Sequence, residues 1–249
     1  MVLPGLSILL GIVLGYLFVF IELSRPVELV LIFVWATAMV ILVNNCGASL
    51  QNKALKILNE QCDPYPFLEE TLVQLSYRNS PQMELALKIN HALALRQCGE
   101  YQRSWEILHT IHIDKSAAFS PMMKAVYYNN LTDILTCMGR YDEAEIWYRK
   151  TVQIINDLPK RAGAQLYHAR DLAIAEHFYR IGEYQPALER HSALEVKNAL
   201  SAVEAAMFRA RCAVALNDRE MARKELEYVI AHGNRLYFVT EAREMLEKL

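Results

Sequence analysis

Apolar positions between residues 84 and 232 recur at i, i+3 and i+4, and short polar turns interrupt them at intervals. Around one turn, Tyr128, Leu131 and Leu135 precede Gly139, while Ala144, Tyr148 and Val152 follow it. Each set falls on one stripe of a helix, so the pattern predicts two amphipathic helices joined tightly. The turn is itself repeated. Gly99-Glu100-Tyr101 is followed by Ser104, Gly139-Arg140-Tyr141 by Ala144, and Gly182-Glu183-Tyr184 by Ala187. A worn copy reads Asn217-Asp218-Arg219 with Ala222. Glycine, or asparagine in its place, suits a helix C′ position that needs φ > 0. The aromatic residue is expected to wedge between paired helices, and the small residue to let their backbones approach. The turns lie 40, 43 and 35 residues apart. Such periods predict stacked helix pairs, because one pair alone cannot bury its apolar face.

Leu131, Gly139, Tyr141, Ala144 and Tyr148, with Pro159 beyond them, form one copy of a longer pattern. Ala175, Phe178, Gly182, Tyr184, Ala187 and Leu194 form another, and Leu95, Ser104, Leu108 and Ile111 a third. Over residues 84–232 the chain resembles the tetratricopeptide repeat superfamily, with steps longer than that family's ~34 residues. The resemblance implies an all-α solenoid (α-α helical repeats) whose first helices line a concave groove for a protein or peptide. By that pattern Arg96, Asn129, Asp133, Glu176, Tyr179, Arg180 and Arg211 face the groove, and Asn90 and Asn130 take equivalent places one repeat apart. Asparagine can both donate to and accept from an extended backbone. Arginine can fork onto a carboxylate. The mixed signs predict an amphoteric groove.

Helix starts fit the same architecture. Asn79-Ser80-Pro81 and Ser120-Pro121 each place a cap residue before a proline at the first helical position, and Asp63-Pro64 does likewise. Residues 46–83 read as a divergent first pair, with helices over 49–61 and 64–77 and a core of Leu55, Leu58, Phe67, Leu72 and Leu75. Residues 233–249 read as a terminal helix. Its charges Glu241, Arg243, Glu244, Glu247 and Lys248 suit a polar cap on an open end.

The first 45 residues differ in kind. Leu3 to Ile21 and Leu29 to Val43 carry no charge, and Glu22-Leu23-Ser24-Arg25-Pro26-Val27-Glu28 separates them. These runs predict a transmembrane helical hairpin with spans over about 3–22 and 27–44. Met1-Val2-Leu3 has no basic side chain of the kind a signal peptide carries, so a retained anchor is expected. Ser7, Gly11 and Gly15 form a small-residue ladder. Packing on the second span, around Ala36 and Ala38, is the first expectation for it, and homodimerisation the second. Lys53 and Lys56 after the spans outnumber Arg25 between them, which predicts a cytoplasmic solenoid.

Composition narrows the chemistry. Net charge is −2 and the pI about 6.4, opposite to the basic footprint that nucleic acid requires. The five cysteines, Cys46, Cys62, Cys98, Cys137 and Cys212, are odd in number and contain no CxxC, so neither a disulfide framework nor a zinc site is expected. His109 and His112 stand near Asp114 without a further ligand at fixed spacing. His168-Ala169-Arg170-Asp171-Leu172 departs from a kinase catalytic loop by its extra alanine. No GxSxG, HExxH or P-loop occurs. His191 is expected to pack in the core. No cofactor, metal or catalytic residue is therefore expected. The sequence predicts an integral membrane scaffold or adaptor that binds a protein or peptide beside the bilayer. A ligand-sensing regulator and a self-associating assembly subunit are the alternatives. A deep closed pocket favours the sensor, an open groove the adaptor, and convergent polar groups with perturbed pKa values an enzyme.

Overall fold

The computed structural model describes residues 30, 33–35, 37, 49–77, 79–113, 119–158 and 164–249. Among the described residues all regular structure is helical. The chain divides into two units, residues 1–52 and 53–249.

Of the smaller unit, residues 30, 33–35, 37 and 49–52 are described and helical. Val30, Phe33 and Val34 are exposed, and Thr37 Oγ1 donates to the Phe33 carbonyl at 2.8 Å. Among the described residues no helix is long and apolar enough to cross a membrane. Apart from residues 30, 33–35 and 37, the two expected spans lie outside the described residues, as do Ser7, Gly11, Gly15, Ala36 and Ala38.

The larger unit begins with α1 (53–61) and α2 (Tyr65–Leu75). Four hairpins follow. They are α3 (Pro81–Gln97) with α4 (Tyr101–His109), α5 (Pro121–Cys137) with α6 (Tyr141–Asp157), α7 (Ala164–Arg180) with α8 (Tyr184–Ser192), and α9 (Ala199–Ala215) with α10 (Arg219–His232). Helix α11 (Tyr237–Glu247) ends the unit. Ser80 and Ser120 cap α3 and α5, accepting from the Met83 and Met123 amides at 3.3 Å. Asn198 and Ser201 form a reciprocal capping box on α9.

All four hairpins turn in the same way. Gly99, Gly139 and Gly182 have φ of 82°, 72° and 85°, and Asn217 has 60°. After each helix the amide beyond this residue reaches back five positions, as Glu100 does to Leu95 and Arg140 to Leu135, both at 2.9 Å. Glu183 to Phe178 and Asp218 to Ala213 repeat the bond at the same length. This is the Schellman geometry, which satisfies carbonyls that a helix end otherwise leaves unpaired. Five residues beyond each turn residue, Ser104, Ala144, Ala187 and Ala222 are completely buried. The flanking aromatics are less uniform. Tyr101 meets Tyr237 and Tyr184 meets Tyr179, both edge to face, while Tyr141 is exposed. Pro159 lies outside the described residues.

Two expectations are corrected. Leu72 was assigned to the core of the first pair, yet it is 59% exposed. Thr71 takes the inward place, fully buried, with Oγ1 2.9 Å from His91 Nδ1. Leu58 and Phe67 are buried as expected. Helix α11 does not cover an open end. Phe238 and Ala242 share one core with Leu58, Phe67, Ala94, Met207 and Leu226, so the first and last hairpins of this unit meet. Polar contacts seal the junction. Asn234 Nδ2 donates to the Gln61 carbonyl at 2.7 Å, and Arg235 pairs with Asp63 at 3.2 Å while covering the Tyr65 ring. Burying α11 this way removes the apolar face that an open solenoid end would leave in water.

Candidate functional site

Closing the unit brings its inner helices around one cleft of about 90 Å³. Helices α3, α5, α7, α9 and α11 each contribute to its wall. Of the residues expected to face the groove, Arg96, Asp133, Glu176, Tyr179 and Arg211 line it. Arg180 stands beside it, its side chain only 2% exposed, with Nη1 donating to the lining Thr136 at 3.4 Å. Asn129 donates to Asp133 at 3.2 Å and so braces the site from one turn away. Asn130 turns back onto the Val126 carbonyl, and Asn90 is half-buried.

These side chains face one another. Arg96 pairs with Glu204 at 3.1 Å, and Gln97 donates to the same oxygen at 2.8 Å. Arg211 forks onto Glu241 with contacts of 2.7 and 3.0 Å. Glu176 and Asp133 both line the cleft, close enough for the charge of each to act on the other. Arg180 Nη2 lies 3.8 Å from Glu145, which His177 and Arg149 also hold at 2.8 and 3.1 Å. His191 stacks on Phe208 at 4.3 Å, buried as expected, and both border the cleft.

Enclosure shifts the ionisable groups. Burial, then Asp133, pushes the Glu176 carboxyl up to about 8, against the pull of Arg180 and Arg96. Burial raises Asp133 to about 6; Arg96 opposes this and Glu204 adds to it. Burial also disfavours the charge on Arg96, but Glu204 and Asp133 outweigh it and raise its pKa. The Cys137 thiol on the same wall is raised by burial, and Tyr179 is pushed up to about 12 for the same reason. Three guanidiniums, of Arg96, Arg180 and Arg211, thus meet five carboxyl groups, of Asp133, Glu145, Glu176, Glu204 and Glu241.

Polar atoms remain without partners inside this network. Arg96 Nε, Arg180 Nε, Glu176 Oε2 and the Asn129 and Gln97 carbonyl oxygens are buried and unpaired among the described residues. Such groups are costly unless water or a ligand meets them, and the cleft has room for several waters.

The sequence reading passed over Glu204, Gln97, Thr136 and Glu241. Glu204 carries a weak signal, lying seven residues before Arg211 and hence on the same face of α9. His109 and His112 are exposed, and Asp114 lies outside the described residues. Among the described residues no group of acidic, histidine and cysteine side chains is arranged to hold a metal. Cys62, Cys98, Cys137 and Cys212 are free thiols. No family model matches the chain, and no curated protein or solved structure matches it either.

Proposed function

We propose that this chain is a membrane-anchored scaffold of the tetratricopeptide-like kind, holding a protein partner on its outer surface. The carrying observation is the outward face of α2. Leu72, Val73 and Tyr77, on α2 and the turn after it, are 59%, 50% and 66% exposed. Large apolar side chains left in water on one short segment are what an interaction site offers a partner. The concave side, where the family resemblance puts a peptide, is filled by its own ion pairs. Its cleft of about 90 Å³ is well below the ~300 Å³ at which small-molecule pockets begin. That same figure weighs against catalysis, although polar groups with shifted pKa values do converge there; buried ion-pair networks shift pKa values without catalysis as well. The charge-free runs before residue 45 supply the anchor in this reading, and Lys53 and Lys56 put the repeats on the cytoplasmic side. Tethering would raise the effective concentration of the scaffold near other membrane components.

The test is crosslinked capture of the full-length protein in its own host. A partner lost from Leu72→Asp with Tyr77→Asp, and kept by Tyr228→Asp on a different helix, supports the reading. A partner that survives the paired change overturns it. Release of the protein by alkaline carbonate would remove the anchor from the proposal. A second reading, a regulator that senses a small ligand, draws on the unpaired buried atoms around the cleft. It ranks below the scaffold because waters suffice to fill that volume.

A further inference from the structure

The cleft wall carries more carboxyl groups than its own cations take up. Arg96 pairs with Glu204, Arg211 pairs with Glu241, and Arg180 leans toward Glu145, which Arg149 and His177 also hold. Two acids are left over, Asp133 on α5 and Glu176 on α7, and both line the cleft. Asp133 accepts from the neutral amide of Asn129 at 3.2 Å. Among the described residues neither acid has an ion pair, and Glu176 Oε2 is buried with no hydrogen-bond partner. Arg180 and Arg96 pull on Glu176 from beyond pairing distance, and burial together with Asp133 outweighs them. A further acceptor stands on the same wall. His191 on α8 is 7% exposed and stacked on Phe208, yet its Nδ1 is buried without a partner. A neutral imidazole offers one nitrogen as an acceptor, and an N–H from a ligand would fix Nδ1 in that role. Tyr179, Phe208 and Phe238 bring aromatic rings to the cleft, and Phe238 already carries the Arg211 guanidinium over its face at 5.6 Å.

We propose that the cleft is a binding site for a small primary ammonium ion, the protonated form of a short alkylamine, whose N–H groups meet Glu176, Asp133 and His191 and whose carbons lie against the aromatic rings. Water can fill the space and donate hydrogen bonds, but it brings no charge to the two acids. An ammonium supplies both, and the rings add their own attraction for a cation. The unpaired acceptors call for N–H donors, which a quaternary ammonium lacks. Among the described residues no acidic, histidine and cysteine side chains are grouped to hold a metal, which points to an organic cation. Size sets the upper limit. A cavity of ~150 Å³ takes up benzene, so a cleft of about 90 Å³ admits a molecule of fewer atoms. The site is independent of what the outer surface binds.

The test uses full-length protein in a neutral detergent at constant ionic strength, with ethylammonium chloride as the probe. Saturation-transfer NMR reads the ligand's methyl signal as the probe is titrated. Ethanol serves as the neutral match and tetramethylammonium as a cation without N–H. The expected result is saturable binding of ethylammonium, with a dissociation constant on the order of millimolar for so few atoms. Ethanol and tetramethylammonium should bind at least several-fold more weakly. Glu176→Gln keeps the size of the side chain and removes its charge, and should weaken ethylammonium by about tenfold, the equivalent of one charge-assisted hydrogen bond. Glu227→Gln, an exposed acid on α10, should leave binding unchanged. Absence of saturable ethylammonium binding overturns the site, and so does binding that Glu176→Gln leaves intact. Should the variant not fold, the wild type decides through the ligands: ethanol or tetramethylammonium binding as tightly as ethylammonium overturns the proposal.

Discussion

The ring of Tyr237, in the last helix, stands edge-on to that of Tyr101 at 5.7 Å and occupies the space a side chain on Gly99 would need. The first repeated turn is therefore part of the closure, while the space beside Gly139 and Gly182 is open. Gly139 has the same left-handed backbone with nothing within 4 Å of an added Cβ. Gly139→Ala should cost about 1–2 kcal/mol, the strain of a left-handed residue alone. Gly99→Ala adds a collision with an aromatic ring and should cost roughly 1–3 kcal/mol more. Urea unfolding of both variants measures the difference. Equal losses would mean that the ring moves aside freely.

Glu204 holds two partners from α3, Arg96 and Gln97, across 108 and 107 residues of chain. Glu204→Ala leaves a largely buried guanidinium without its ion pair, and the loss should be on the order of 2 kcal/mol. Arg235→Ala breaks the Asp63 pair, but Arg235 is more than half exposed, so the loss should stay below about 1 kcal/mol. Chemical denaturation ranks the two. The opposite order would place the clasp at the Asp63 junction and not in the cleft.

The repeated turn was legible because few residues meet its demands. A left-handed φ selects glycine or asparagine, and a helix crossing with no spare volume selects Ser104, Ala144, Ala187 and Ala222. The inner positions Arg96, Asp133, Glu176 and Arg211 were legible for a related reason, since helical period fixes which face they share. Their pairing was not. Whether Arg96 meets a partner protein or Glu204 depends on how far the stack curls, and that is set by contacts such as Asn234 to Gln61, 173 residues apart. No local period encodes such a contact. Leu72 and Thr71 show a second limit. Hydrophobic ranking favours leucine for the core, but only the structure places His91 opposite Thr71 to satisfy its hydroxyl.

That hydroxyl supplies its own prediction. Thr71→Val keeps the shape of the side chain but leaves His91 Nδ1 facing a methyl group. His91 is buried, and burial already holds its pKa below the ordinary value. The change should cost about 1–3 kcal/mol, the penalty for a buried polar atom left unpaired. Thr71→Ser, which restores the hydroxyl and loses one methyl, should recover part of it. Thermal unfolding of the pair separates hydrogen bonding from packing, and a serine variant no better than valine would assign the effect to packing.

His191 should govern the acid side of the stability profile. It is 7% exposed, stacked on Phe208, and its Nδ1 has no partner. Burial first, and Arg209 next, lowers its pKa to about 4 from an ordinary 6.5. The folded state thus binds fewer protons than the unfolded chain between those values, so stability falls as pH drops through that window. The full loss amounts to roughly 3 kcal/mol. Asp133 and Glu176 act in the opposite sense over an overlapping range, which makes the wild-type profile alone a poor discriminator. The difference between wild type and His191→Phe isolates the histidine. Phenylalanine keeps the stack, has no proton to gain and removes an unpaired polar atom. The variant should therefore be at least as stable as the wild type near pH 7 and increasingly more stable toward pH 4. Parallel unfolding midpoints across that range would show that His191 takes up its proton as readily in the folded protein as in the unfolded chain.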